Sequence, residues 1–202
     1  MYFGATAVGI KLKDAVVLAT DRRMAYGSFV MSRNAKKIFM LDKRIGIAFA
    51  GLYGDLRGLF RILEAEYRFM KMTINKEPSV KSIAKRLSMI LYSYKAFPFL
   101  VEIIVGGIDP DGETSLYVLD SLGSLTEEPY IAVGSGASIA LGFLEDSYRD
   151  DLDLEEAINV AVKAVKAAIE RDSYTGDGID VVAITKDDVI EKSYKLRLVE
   201  GQ

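Results

Sequence analysis

The start of the chain constrains its fold most, because an extended run begins almost at the first residue. Residues 4–10 (Gly-Ala-Thr-Ala-Val-Gly-Ile) mix small and β-branched side chains, and a second extended run covers residues 15–19. Residues 11–14 (Lys-Leu-Lys-Asp) lie between these runs and are typical of a hairpin turn, so we predict that the two strands pair antiparallel. A terminus held in a sheet is a candidate for chemistry, since an α-amino group titrates near neutral pH. The alternative is an ordinary edge strand.

The rest of the chain alternates between blocks with a strand period and blocks with a helix period. The short apolar or alternating runs that predict strands cover residues 28–32, 45–51, 99–107, 115–120, 130–133, 179–184 and 189–198. Apolar residues at three- and four-residue intervals predict helices over 54–70, 79–94, 139–148 and 154–169. Residues 45–51 are apolar on both faces of the predicted strand, so we expect this strand to be covered on both sides.

The order of these blocks is strands, two helices, strands, two helices, strands. Helices segregated from antiparallel strands in this way indicate a layered α+β fold. A length of 202 residues fits one domain, and neither a repeat nor a linker divides the chain.

Composition limits the chemistry that the chain can perform. It contains no cysteine, histidine or tryptophan, which excludes disulfides, thiol nucleophiles, histidine bases and the usual zinc ligand sets. Catalysis would therefore use hydroxyls, carboxylates, lysine or the terminus, and we expect no metal and no cofactor. A net charge of -3 argues against a nucleic-acid partner. Without a membrane-length apolar run or a signal peptide, we expect a cytoplasmic protein with no membrane partner.

Four polar clusters follow predicted strands or helices, where a rigid scaffold usually holds reactive groups. They contain Asp21, Lys37, the Gly-Ser-Gly segment at 134–136, and Asp172 with Thr175. Each cluster also has a purely structural interpretation. A lysine pair is usually solvated, Gly-Ser-Gly is usually a turn, and Arg-Asp after a helix is usually a C-terminal cap.

Taken together and in order, the segments resemble the archaeal-type β subunit of the proteasome core particle, a family of N-terminal nucleophile hydrolases. The matching segments are Thr-Ala-Val-Gly-Ile, Ala-Thr-Asp-Arg-Arg, Ala-Lys-Lys-Ile-Phe, Gly-Gly-Ile-Asp, Gly-Ser-Gly and Arg-Asp-Ser-Tyr-Thr-Gly-Asp-Gly-Ile-Asp. The resemblance covers nearly the whole chain. It implies a four-layer αββα sandwich of two antiparallel sheets flanked by helices, with residues 1–4 as a short propeptide and residues 5–202 as one domain.

The resemblance also implies an activity and a set of partners. Members of the family are threonine-type endopeptidases that degrade unfolded polypeptide inside a closed chamber. The implied partners are other β subunits in seven-membered rings, flanking rings of α subunits and, indirectly, an ATP-dependent unfoldase. The helices over residues 54–95 are plausible contacts to neighbouring subunits.

In that family a processed N-terminal threonine attacks the scissile carbonyl, and its free α-amine carries the proton. By resemblance, Lys37 activates the hydroxyl, Asp21 holds that lysine, and the backbone N–H of Gly51 forms the oxyanion hole. The residues implied to orient the terminus are Ser135, Asp172 and Thr175. Those implied to line a hydrophobic substrate pocket are Met24, Ala35, Phe49 and Tyr53. For these four the alternative is that they belong to the core.

The chain departs from the family at the nucleophile itself. Counting back from Val-Gly-Ile places the attacking residue at position 5, where this chain has Ala5 after Gly4. A methyl group cannot start self-cleavage, so we expect residues 1–4 to be retained and the chain to be silent. It would be either a natural inactive paralogue or a Thr→Ala variant. The remaining alternatives are cleavage after Ala5, which would expose Thr6 as nucleophile, and a small-molecule amidohydrolase of the same fold.

Overall fold

The computed structural model describes residues 4–74 and 76–195. In chain order its elements are β1 (Thr6–Lys11), β2 (Ala15–Asp21), β3 (Met24–Tyr26), β4 (Phe29–Ser32), β5 (Ile38–Met40), β6 (Ile45–Gly51), α1 (Tyr53–Ile74), α2 (Val80–Ser93), β7 (Val101–Ile108), β8 (Thr114–Leu119), β9 (Leu125–Glu127), β10 (Tyr130–Gly134), α3 (Ala137–Ser147), α4 (Leu154–Arg171), β11 (Ile179–Thr185) and β12 (Val189–Tyr194).

These strands form two antiparallel sheets of five strands each within the described ranges. The first sheet has the order β10-β1-β2-β11-β12 and the second has the order β5-β6-β7-β8-β9, while β3 and β4 form a separate hairpin. Strand β1 therefore lies inside its sheet, between β10 and β2. The prediction that β1 and β2 pair antiparallel is confirmed, and the edge-strand alternative is wrong.

Three apolar layers hold the sheets and helices together. Helices α3 and α4 pack on the outer face of the first sheet, where Val8 and Ala168 are buried. Helices α1 and α2 pack on the outer face of the second sheet. The inner faces of the sheets meet through small and branched side chains such as Ala48, Leu18 and Ile104. The order of layers is helix, sheet, sheet, helix, which confirms the predicted αββα sandwich.

The helices form where their sequences supply both an apolar stripe and an end cap. Asp153 and Glu156 form a capping box at the start of α4, each side chain accepting from the other's backbone N–H. Ser79 caps α2 by accepting from the N–H of Ser82. The predicted pair of helices after residue 54 is confirmed.

Several strands differ from the predictions. The structure adds β3, β5 and β9, each three residues long, which is too short to show a period in the sequence. The prediction that the strand over residues 45–51 is covered on both sides is confirmed by the burial of residues 45–50. The predicted last strand extends to residue 198, but residues 196–198 lie outside the described ranges.

Candidate active site

The site is built around the start of β1, which is held between two strands. Ala5 is fully buried and packs with Ala7 in the layer between the sheets. Because side chains alternate along a strand, Thr6 is directed to the opposite face. A Cβ added to Gly136 would lie 2.3 Å from Oγ1 of Thr6 and 2.8 Å from Ala168 of α4. The glycine at position 136 therefore leaves room for the Thr6 hydroxyl against the helix layer.

Asp21, the last residue of β2, collects hydrogen bonds from the surrounding chain. Its Oδ1 accepts from the backbone N–H of Thr6 at 3.0 Å and from Nζ of Lys37 at 2.7 Å. Its Oδ2 accepts from the backbone N–H groups of Arg23 and Gly176, each at 2.9 Å. Four donors on one fully buried carboxylate join the start of β1 to the lysine and to the loop after α4.

Lys37 is the buried cation of this site. Its side chain is 3% exposed, and its partner Asp21 has no exposed surface. Burial lowers the pKa of the Lys37 amine because it penalises the charged form more than the attraction of Asp21 favours it. An amine with a lowered pKa gives up a proton more readily, as the activation of a hydroxyl beside it would require.

A second hydrogen-bond network lies on the other side of β1, around Asp172 at the C-terminal end of α4. Its Oδ2 accepts from the hydroxyl of Thr175 at 2.6 Å and lies 2.5 Å from Oγ of Ser135. The hydroxyls of Thr6 and Thr175 are 2.7 Å apart. Because a carboxylate only accepts, Thr175 donates to Asp172, so the Thr6 hydroxyl must donate to Thr175.

Ser135 connects this network to residue 5. Its Oγ lies 3.4 Å from the carbonyl oxygen of Ala5. A Cβ added to Gly4 would lie 2.1 Å from Cβ of Tyr174 and 2.4 Å from Oγ of Ser135. Only glycine fits at position 4, and the bond between residues 4 and 5 is packed directly against the Ser135 turn.

A cleft of about 290 Å³ opens beside these groups. Gly4, Lys37 and Gly51 line it, together with Met24 and Tyr53. Gly51 has φ of 127°, a backbone conformation that favours glycine. The structure thus brings the predicted lysine, the predicted oxyanion glycine and two predicted pocket residues to one cleft.

Two predicted pocket residues do not line this cleft. Phe49 is fully buried in the layer between the second sheet and its helices, with its ring centre 5.9 Å from that of Phe39. Ala35 is buried and donates its backbone N–H to the carbonyl of Arg22 at 3.0 Å. Neither side chain is among those that line the cleft. For Phe49 this is the core position that the sequence left open as an alternative.

Arg23 is a cleft residue that the sequence reasoning did not single out. Its Nε donates to Asp177 at 2.8 Å and its Nη1 donates to the carbonyl of Ser173 at 2.8 Å. A Cβ on Gly176 would lie 2.4 Å from the guanidinium. Arg23 thus connects the loop after α4 to the short segment between β2 and β3. Its position two residues after Asp21, in Asp-Arg-Arg, was the available signal.

Within the described ranges, no three His, Cys, Asp or Glu side chains come together as a metal site requires. None of the helices described has both the length and the apolar character needed to cross a bilayer.

The layering of two antiparallel sheets between helices, with β1 starting at a cleft beside a buried lysine, is that of the N-terminal nucleophile hydrolases. The family model described as "Proteasome subunit" matches residues 1–184. "Proteasome subunit beta 1" of Desulfurococcus amylolyticus is 51% identical over 181 residues, which are 90% of this chain and 89% of that protein. "Proteasome subunit beta 1" of Ignicoccus hospitalis is 50% identical over 181 residues, 90% of each chain. "Proteasome subunit beta 2" of Thermofilum pendens is 44% identical over 191 residues, 95% of this chain and 93% of that protein. The chain belongs to the proteasome β subunit family.

Proposed function

We propose that this chain is a catalytically silent β subunit of the proteasome core particle, because Ala5 takes the position of the attacking residue. The observation that carries the proposal is the shared hydrogen bonding at Asp21, whose Oδ1 accepts from both Thr6 N–H and Lys37 Nζ. This arrangement holds the N–H of Thr6 and the amine of Lys37 on one carboxylate oxygen, which supports the proposal that the start of β1 is the reacting end of the chain. Residue 5 directly precedes Thr6 and carries a methyl group, which cannot attack a carbonyl.

The same substitution affects processing. Self-cleavage between residues 4 and 5 needs a hydroxyl on residue 5, and a free α-amine exists there only after that cleavage. The Ser135 hydroxyl lies close to the Ala5 carbonyl, and only glycine fits the space at position 4. The residues around the bond between Gly4 and Ala5 are thus arranged as processing would need, but residue 5 lacks the attacking hydroxyl. We therefore propose that residues 1–4 remain attached.

Thr6 is a poor replacement for the missing nucleophile. It is fully buried, and its hydroxyl proton is engaged by Thr175 on the helix side of β1. Its backbone N–H is engaged by Asp21. Moving Thr6 into the position of Ala5 would shift β1 by one residue and turn its side chains to the opposite faces. The use of Thr6 after cleavage at Ala5 is thus the less favoured activity.

Membership in the family implies assembly with other proteasome subunits. We further propose that the chain joins seven-membered β rings between α rings in the cytoplasm, and that active neighbours cut unfolded polypeptide delivered by an ATP-dependent unfoldase. The proteasome relatives disfavour a small-molecule amidohydrolase. A natural paralogue and a Thr→Ala variant predict the same chemistry for this chain, so the experiment applies to both.

The experiment compares the intact mass and the peptidase activity of assembled particles. The chain as it exists should keep residues 1–4 and add no fluorogenic peptide cleavage, whereas Ala5→Thr should lose residues 1–4 and gain cleavage. Ala7→Thr is the matched control, because it adds the same atoms on the same face of β1 two residues away. It should stay full length and inactive. Loss of residues 1–4 from the unaltered chain, or an assembled but inactive Ala5→Thr particle, would refute the proposal.

A further inference from the structure

A carboxylate from the second sheet reaches the first sheet at the edge of the site. Oε2 of Glu102 accepts a hydrogen bond from the backbone N–H of Gly134 at 2.6 Å. Glu102 lies on β7 and Gly134 ends β10, which is an edge strand of the other sheet. Within the described ranges Glu102 forms no ion pair, although it is exposed. The hydrogen bond of its side chain, among the residues described, is the one to Gly134 across the sandwich.

Strand alternation explains why Glu102 points across the gap. Glu102 lies opposite Ala50 in the pairing of β7 with β6, and Ala50 packs in the layer between the sheets. Ile104, two residues further along β7, packs in the same layer. Glu102 therefore shares their face. The next pair along the two strands joins Val101 with Gly51, and Gly51 lines the cleft, so Glu102 stands at the cleft end of this layer.

Gly134, whose N–H donates to Glu102, packs closely against residue 5. Gly134 has φ of 98° and lies opposite Thr6 in the pairing of β1 with β10. A Cβ on Gly134 would lie 2.0 Å from the carbonyl oxygen of Ala5 and 2.7 Å from Cβ of Ala50. The following residue, Ser135, places its hydroxyl near that same carbonyl. A shift of the Gly134 backbone would therefore be transmitted to residue 5.

We propose that Glu102 is a positioning residue for the site, holding the turn at residues 134–135 and, through it, the carbonyl of residue 5. This inference rests on the proposed function, because it assigns Glu102 a task only if residue 5 is the reacting position. Glu102 does not touch the reacting atoms. Its effect depends on an oxygen acceptor at the end of a side chain of this length, and a hydrogen bond from an N–H to a carboxylate is among the stronger ones.

The test in the active background separates the acceptor from simple packing. In the Ala5→Thr particle, Glu102→Met keeps the length of the side chain and removes the acceptor, so kcat should fall about tenfold with KM within about twofold. Glu102→Gln keeps an acceptor oxygen and should recover most of the rate. Glu113→Met, an exposed glutamate in the turn before β8, is the matched control and should leave both constants unchanged. An unaltered kcat in Glu102→Met, a change confined to KM, or a loss in Glu102→Gln equal to that in Glu102→Met would overturn the proposal.

A second measurement does not depend on activity. It therefore tests the proposal about Glu102 even in the case that Ala5→Thr is inactive. Hydrogen exchange measured by mass spectrometry on peptides covering residues 130–137 reports the protection of the Gly134 amide. In the otherwise unaltered chain, Glu102→Met should speed exchange there by about tenfold, and Glu102→Gln should not. Equal exchange in the parent chain and Glu102→Met would overturn the proposal, whereas an inactive Ala5→Thr particle with faster exchange in Glu102→Met would count against the proposed function alone.

Discussion

Replacing Lys37 with methionine removes the amine that neutralises a fully buried carboxylate. The two groups are 2.7 Å apart, with side-chain exposures of 3% for Lys37 and 0% for Asp21. Methionine has nearly the length and volume of the lysine stem, so the packing around it should be conserved. The change therefore isolates the effect of leaving the charge of Asp21 without its cation.

The size of this effect follows from the burial and from the partners that remain. Breaking a buried ion pair by removing one partner costs about 3–5 kcal/mol. Asp21 would keep three backbone N–H donors, from Thr6, Arg23 and Gly176, so we expect the lower limit, a loss of about 3 kcal/mol in the free energy of unfolding. For a domain of this size that loss corresponds to a decrease in Tm of roughly 6–12 °C.

Urea unfolding of the purified chain measures the loss, and Lys36→Met is the matched control. Lys36 is the neighbouring lysine, with a side chain 56% exposed and its nitrogen 3.6 Å from exposed Glu191. Its replacement should cost less than about 0.5 kcal/mol. The double variant Asp21→Asn/Lys37→Met should be more stable than Lys37→Met alone, because it no longer buries an uncompensated charge. If Lys37→Met costs no more than Lys36→Met, the buried pair of Lys37 and Asp21 does not stabilise the fold as argued.

The lowered pKa of Lys37 also predicts how the stability loss in Lys37→Met changes with pH. Burial lowers the pKa of Lys37 from its ordinary value of 10.5, so between the lowered pKa and 10.5 the unfolded chain binds more protons than the folded one. The contribution of Lys37 to stability then rises with pH through this window. The stability difference between the parent chain and Lys37→Met should widen as pH rises towards 10.5. A difference that narrows over the same range would contradict the direction of the shift.

Three further changes test other parts of the structure. Thr20→Val should raise the free energy of unfolding in urea by about 1 kcal/mol, because the buried Thr20 hydroxyl has no hydrogen-bond partner within the described ranges; a loss of stability would reveal a partner for it. Thr6→Val should lower stability by about 1–2 kcal/mol in the same assay, since it removes the donor to Thr175, and an unchanged value would mean that this network contributes nothing. Asp153→Ala should cost about 1 kcal/mol by thermal denaturation through loss of the α4 cap, whereas Asp151→Ala, at a side chain 84% exposed, should cost less than about 0.5 kcal/mol; equal losses would argue against the cap.

Elements whose periodic pattern extends over many residues could be predicted from the sequence, and elements of three residues could not. Helices α1 and α2 carry apolar side chains at helical spacing over many turns, and their positions were predicted within a few residues. Strands β3, β5 and β9 have three residues each. Such a strand forms because a neighbouring strand or turn places it there, which local pattern does not show.

The pairing of strands that are distant in the chain also could not be predicted from the local sequence pattern. The partner of β1 on its second side is β10, more than a hundred residues away, and nothing within residues 4–10 distinguishes an interior strand from an edge strand. The same limit explains Phe49. Strand β6 is apolar on both faces, so its period does not show that Phe49 faces the helices while Ala48 and Ala50 face the other sheet.

The site residues came from the order of six motifs, which resemblance could recognise, but their contacts depend on the folded sheets. Asp21 and Lys37 are sixteen residues apart, and Ser135 and Asp172 are thirty-seven apart. Glu102 had no motif to mark it. Its role depends on which face of β7 points across the gap and on the approach of Gly134, and both are properties of the stacked sheets.

If the subunit is silent, as proposed, its polar site groups need a reason other than catalysis, and the hydrogen bonds supply one. Asp21 holds the N–H of Thr6 from one side of β1, and the network of Asp172 holds its hydroxyl from the other through Thr175. Removing Lys37 would leave Asp21 charged and buried, so stability alone is sufficient to preserve the pair. The presence of these residues therefore does not indicate activity. The same reasoning makes Ala5→Thr the change that separates the two roles, because it replaces none of the groups that form these bonds to residue 6 and supplies the missing hydroxyl together with one methyl group.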